Sequence, residues 1–187
     1  MKEGAILDLG CGRKKAEGAV GVDRDPLRHP DVLHDLNVVP WPLPDSGFDR
    51  ILCRHILEHL RDVDQTVQEI HRVARPGAHV VIVTPHFSSV NSWDDPTHVH
   101  HFSSAAFDRY CLPLDGDGIA GGPGPGAAPF RMIAPFRMIA KDLKFGRSFL
   151  NLVPRAISQR SLRWYEKHLA FIFPARNLTI VLGAQKQ

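Results

Sequence analysis

Five short apolar runs, separated by turn signals and one helix-period segment, constrain the fold of this 187-residue chain more than any other feature. They are "AILDL" (5–9), "AVGVD" (19–23), "DVLHDL" (31–36), "FDRILCR" (48–54) and "AHVVIVT" (78–84). Runs this short and this apolar suit strands buried on both faces, the environment of a parallel sheet. Between the fourth and fifth, "DVDQTVQEIHRVA" (62–74) sets Val63, Val67, Ile70 and Ala74 at spacings of four, three and four. That is one stripe of a helix, with Asp62 placed as its N-cap and a Pro-Gly turn following it. Such alternation predicts the α/β class: a doubly wound, mostly parallel sheet with right-handed crossovers and helices on both faces.

The second half is less regular. Ser103 or Ser104 is placed to cap a short helix through Tyr110. Residues 112–130 are too rich in Gly and Pro for a regular element and read as a mobile loop. "PFRMIAPFRMIA" (129–140) repeats six residues in tandem. Pro135 interrupts any ladder, so one copy only is expected in a strand; the second is chosen because it runs on into "KDLKFG". A helical region over about 154–169 and a strand over 177–185 close the chain.

Composition narrows the class. The length suits one domain spanning 1–187, and 43% hydrophobic with 23% charged residues is ordinary for a globular chain. Cys11, Cys53 and Cys111 are odd in number and lack paired spacing, so the chain is expected to be cytoplasmic rather than disulfide-bonded. No apolar run approaches a membrane span, and no signal-peptide core opens the chain. The net charge of +3 hides an asymmetry: residues 131–187 hold eleven Lys/Arg against Asp142 and Glu166. That third suits an anionic partner, although no aromatic-interleaved basic motif points to nucleic acid.

"LDLGCGRKKAEGAVGVD" (7–23) poses the functional question: a strand, a Gly-x-Gly turn, and a second strand ending in an acid. A pyrophosphate loop wants a third glycine and a following helix, but Lys15 stands at the glycine position and strand two begins by Ala19. Dinucleotide binding is therefore disfavoured. A nucleoside with an amino-acid tail fits better. Gly10 and Gly12 let backbone approach the tail, Asp8 orients its ammonium, and Asp23 takes two ribose hydroxyls. Asp35 and the Leu36 amide then meet the base edge.

At this point the chain closely resembles the class I S-adenosylmethionine-dependent methyltransferases. The resemblance rests on "LDLGCG", "VDRDP", "HDLNVVPWPLPDSGFD", "ILCRHILEHLRD", "EIHRVARPGAHVVIVTPHF", "DPTHVHHFS" and "YEKHLAFIFPARNLTIVL", in family order. It implies a seven-stranded sheet with an antiparallel last strand, and S-adenosylmethionine as methyl donor. It further implies that Asp8, Gly10, Cys11 and Gly12 line the methionine tail and that Asp23 holds the ribose. Arg24, Asp35 and Leu36 would surround the adenine, with Cys53 and Arg54 as a wall. Within one methyltransferase domain, residues 1–111 would be the cofactor-binding core and 131–187 a strand–helix–strand part. On this resemblance the family's N-terminal helices are expected to be missing, and the helix between strands one and two is expected to shrink to about a turn.

Methyl transfer from a sulfonium needs a general base only where the acceptor is protonated. His98, His86, His55 and Asp95 are the candidates, facing a small-molecule or conjugated acceptor. His98, His100 and His101 raise a metal-dependent hydrolase as an alternative, but a substrate-site loop with no metal is preferred. A non-catalytic module holding S-adenosylmethionine or S-adenosylhomocysteine is the other alternative. His59 and His71 fall in helical patterns and read as structural.

Overall fold

The computed structural model describes residues 4–111, 135–146 and 152–186. Seven strands form one sheet: β1 (Ile6–Leu9), β2 (Ala19–Asp23), β3 (Val32–Leu33), β4 (Phe48–Arg54), β5 (Ala74–Pro85), β6 (Phe136–Lys144) and β7 (Asn177–Ala184). Their order is β3-β2-β1-β4-β5-β7-β6, with β7 antiparallel to both its neighbours and the other pairings parallel. This is the sheet the resemblance implies. β1 sits between β2 and β4, and Leu7, Asp8 and Leu9 are all buried.

Helices are fewer than the alternation predicts. The first crossover, residues 10–18, contains none, as its length requires. Side chains hold it instead: Asp8 Oδ2 accepts the Ala16 N–H at 2.8 Å, and Lys15 Nζ meets Asp31 Oδ2 at 2.7 Å. The β3–β4 crossover is also irregular. Among the described residues the one long crossover helix is α1 (Val63–Val73). Its Val67, Ile70 and Val73 are buried, and Asp62 Oδ1 accepts the Gln65 N–H at 2.9 Å. Removing that cap with Asp62→Ala should cost about 1 kcal/mol. At roughly 2–4 °C per kcal/mol for a domain of this size, the melting temperature should fall by a few degrees.

Four expectations are corrected. β3 is two residues rather than six, because Asn37 donates its N–H to Asp35 Oδ1 at 2.9 Å and Val38 N–H reaches the Asp35 carbonyl, turning the chain out of the sheet. The Pro-Gly turn is absorbed into β5: Ala74 already pairs with Phe48, and an irregularity before His79 takes up the intervening residues, with Gly77 at φ +77°. The single C-terminal helix is two, α2 (Leu152–Arg160) and α3 (Leu162–His168), because Ser161 turns extended and its hydroxyl accepts the Trp164 N–H. Ser104 caps nothing, its N–H and hydroxyl both going to Glu166 at 2.6 and 2.9 Å; only a 3-10 turn forms, at Asp108–Tyr110.

The second copy of the hexapeptide supplies the start of β6, as expected, while the first copy and the 112–130 segment lie outside the described residues. Phe136 from that second copy is fully buried, as are Tyr165, Phe48 and Phe107. No helix among the described residues is long and apolar enough to cross a membrane.

Candidate active site

The turn after β1 depends on Gly10 at φ +63° and Gly12 at φ +53°, left-handed conformations that glycine adopts without strain. A side chain on Gly10 would meet Ile56 at 2.6 Å, whereas one on Gly12 would meet nothing within 4 Å. Gly12 thus borders open space. The chain folds back through the Cys11 N–H to the Val22 carbonyl at 3.1 Å. Asp23, ending β2, locks the turn: its two carboxylate oxygens accept the Gly12 and Asp25 N–H groups, each at 2.9 Å.

Beyond these strand ends lies a cleft of about 180 Å³ lined by Gly10, Asp23, Arg24, Asp35 and Leu36, with His34, Asn37, Ile56, His59, Leu60 and Thr97. Such a position, past the carboxyl ends of the central strands, is where open α/β sheets bind ligands. The Asn37 N–H, against an opposing effect of burial, holds the Asp35 carboxyl below its ordinary range, so it stays an acceptor. The Trp41 indole donates to the Leu36 carbonyl at 3.1 Å and braces that wall from the core.

Asp8 and Arg54 form a partly satisfied pair beside the glycine turn. Arg54 Nη2 donates to Asp8 Oδ2 at 2.6 Å and to the Lys14 carbonyl at 2.8 Å. Asp8 Oδ1 and Arg54 Nε are buried without a partner. One buried acceptor and one buried donor left open beside the glycine turn are costly unless something fills them.

The cysteines contribute no reactive group. Cys11 Sγ lies 2.8 Å from where a side chain on Gly21 would stand, so it packs on β2 rather than into the cleft. Cys53 is enclosed in the core. Burial pushes the Cys11 and Cys53 thiols up, the first with help from the Asp23 carboxylate, and takes Cys111 up to about 11.

The candidate bases separate widely. His86 is fully buried; its Nδ1 accepts the Ser88 N–H, which leaves Nε2 to donate to Glu166 Oε1 at 3.1 Å. His55, at φ +53° after β4, sits 3.3 Å from Glu58 Oε1 and lines a separate hollow with Lys144 and Arg176. Asp95 accepts the Thr97 N–H and hydroxyl at 2.9 and 2.6 Å, and these bonds hold its carboxyl below the ordinary range. His98 follows in the same loop, Nδ1 at 3.2 Å from the Ser92 carbonyl and Nε2 at 3.8 Å from Asp95.

The His98/His100/His101 cluster of the hydrolase alternative does not form. His98, His100 and His101 turn to three different partners: the Ser92 carbonyl, the Arg61 carbonyl and the Ser92 hydroxyl. His101 is also stacked on Trp93 at 3.7 Å. His71 is structural as read, bonded to the Gln185 carbonyl at 2.9 Å. His59 is not: it leaves helical geometry in a 3-10 turn (Leu57–His59) and lines the cleft with Thr97. Its position just past β4 was the available signal.

Residues 7–82 match the family profile described as "Methyltransferase domain". A probable S-adenosylmethionine-dependent methyltransferase of Mycolicibacterium smegmatis is 33% identical over 97 residues, covering 43% of this chain and 37% of that protein. A demethylmenaquinone methyltransferase of Listeria monocytogenes is 25% identical over 108 residues, 58% of this chain and 40% of that one. These matches span well under half the length of either curated relative. Among solved structures, an Archaeoglobus fulgidus S-adenosylmethionine-dependent methyltransferase shares the fold at TM-score 0.64 and 18% identity, over 96% of this chain and 86% of that one. The matched segment, running from the glycine turn into β5, is thus similar to a methyltransferase domain, and the sheet ordered 3-2-1-4-5-7-6 has the class I methyltransferase fold.

Proposed function

We propose that the chain binds S-adenosylmethionine in this cleft and transfers its methyl group to an acceptor held at the His59–Thr97 side. The family implies that cofactor, and the observation that carries the reading is the open pair at the glycine turn. An amino acid carries an ammonium and a carboxylate; Asp8 Oδ1 lacks a donor and Arg54 Nε lacks an acceptor. The two requirements are complementary. Asp23 then takes the ribose hydroxyls on its remaining lone pairs, and Asp35 with Leu36 meets the adenine edge.

When bound, the sulfonium supplies a methyl group already activated for in-line displacement. The chain's residues fix the nucleoside, exclude water and hold the acceptor in line, and such positioning contributes roughly 7–11 kcal/mol. Where the acceptor is protonated, His98 and Asp95 are the groups in reach of that end. His86 is committed to Glu166, and His55 faces another hollow. The acceptor class stays with the basic C-terminal third, which suits an anionic small molecule or conjugate.

Calorimetry with S-adenosylmethionine and with 5′-methylthioadenosine, which lacks the amino-acid tail, tests the assignment. The wild type should prefer the tailed compound. Arg54→Lys keeps a charge beside Asp8 but removes the guanidinium Nε, and should lose about tenfold towards the tailed compound while binding the other unchanged. Equal losses for both would overturn the tail assignment, and no binding of either would overturn the function. Release of S-adenosylhomocysteine against acceptor panels then separates an enzyme from a holder of the cofactor.

A further inference from the structure

A second grouping stands beside the cleft and shares His59 and His98 with its acceptor side. Glu58, His59 and His98 each bring a ligand-capable atom within 4.8 Å of the others. We propose that these three side chains bind a divalent first-row transition-metal ion.

The backbone fixes the grouping. Glu58 and His59 belong to the 3-10 turn after β4, and His98 to the loop after β5. The Val99 and His100 N–H groups both donate to the Glu58 carbonyl, at 2.8 and 3.3 Å, tying the loop to the turn.

Hydrogen bonds also prepare the rings. The Thr97 hydroxyl donates its proton to Asp95 Oδ1 at 2.6 Å, so towards His59 Nδ1, 2.9 Å away, it can only accept. His59 therefore carries its proton on Nδ1. His98 Nδ1 faces the Ser92 carbonyl at 3.2 Å, an acceptor, and must carry its proton there too. With Nδ1 so engaged, Nε2 is the nitrogen of each ring left to bind an ion. A ring nitrogen tied to a carbonyl or hydroxyl while the other carries a lone pair is how metal-binding histidines are held.

Charge completes the case. The Glu58 side chain is 2% exposed, and its partners are the Thr84 hydroxyl at 3.1 Å and the His55 ring at 3.3 Å. A buried carboxylate without a firm cation is expensive, and a divalent ion would offset it. Asp95 Oδ2, 3.8 Å from His98 Nε2, offers a further oxygen. Two imidazoles with carboxylate suit zinc, cobalt, manganese or iron(II) rather than calcium or magnesium. Since His59 and Thr97 also line the cleft, the ion would lie where it can hold an acceptor oxygen. That role rests on the methyl-transfer reading; the metal site does not.

The test uses the full chain, stripped with chelator, dialysed, and titrated with Co²⁺ or Zn²⁺ without cofactor or acceptor. One equivalent should bind, with visible cobalt bands and a rise in melting temperature. His59→Ala and His98→Ala should each lose binding by more than tenfold. Thr97→Val, which removes only the hydroxyl orienting His59, should lose about 10- to 100-fold. His101→Ala, whose ring is stacked on Trp93, should bind as the wild type does. Circular dichroism checks that each variant is folded, and Thr97→Val decides if a histidine variant is not. No uptake by the wild type, uptake that survives the His59 and Thr97 changes, or equal loss in His101→Ala would overturn the site. Each of these leaves the cofactor-binding result standing.

Discussion

Asp23→Ala should weaken S-adenosylmethionine binding by about 10²- to 10⁴-fold. Two charge-assisted hydrogen bonds to the ribose, at ~1.5–3 kcal/mol each, account for that range at 1.4 kcal/mol per decade. The substitution also releases the Gly12 and Asp25 N–H groups, so loop loosening has to be separated from lost ribose contacts. Adenosine and 2′,3′-dideoxyadenosine separate them. The wild type should discriminate strongly between the two, and Asp23→Ala should not. A variant that binds weakly yet still prefers the hydroxyl-bearing nucleoside would show that Asp23 holds the loop and not the ligand. Asp23→Asn, keeping the shape and one acceptor oxygen, should fall between.

Glu166→Ala should destabilise the fold by about 2–5 kcal/mol, the range for leaving buried polar partners unpaired. Glu166 on α3 accepts from His86 at the end of β5 and from both the N–H and hydroxyl of Ser104, so one carboxylate pins three segments. Its loss orphans a fully buried imidazole. Differential scanning calorimetry should show the melting temperature down by roughly 5–15 °C. A drop of a degree or less would mean that water replaces the carboxylate. Burial alone would push the Glu166 carboxyl up, but the bonds from His86 and Ser104 outweigh it and hold the group below its ordinary 4.5. A depressed native value means stability that is present above the unfolded value and is lost as pH falls through the native one. The gap between wild type and Glu166→Gln should therefore be constant near neutrality and narrow below about pH 4.5.

Strands β1, β2 and β4 and helix α1 were legible because their apolar spacing and the Asp62 cap are local signals. The positions of Asp23 and Asp35 at the cleft were legible because one ends a strand and the other lies just past one, and strand ends collect at one rim of the sheet. What failed depended on partners distant in sequence. Ser104 looks like a cap until Glu166, 62 residues on, claims both its polar groups. His86 looks like a base until the same carboxylate buries it. His59 looks helical because "ILEHL" has helical spacing, yet the chain there makes a single tight turn. Cys11 carries the right motif position but turns its sulfur onto Gly21, a contact that the first strand alone does not announce.

The place of β7 sets an order in time. It pairs with β5 over seven residues, from His79 with Gly183 to Pro85 with Asn177, and among the described strands β6 joins the sheet through β7. During synthesis β1 to β5 leave the ribosome well before the strand that covers the open side of β5. Until residues 177–184 emerge, the backbone of "VVIVT" is an unpaired, apolar edge, the kind that recruits other nascent chains. Contacts of such long sequence separation also form slowly. Yield in a cell should thus depend on chaperone supply, and truncation before residue 177 should give insoluble protein rather than a smaller working domain.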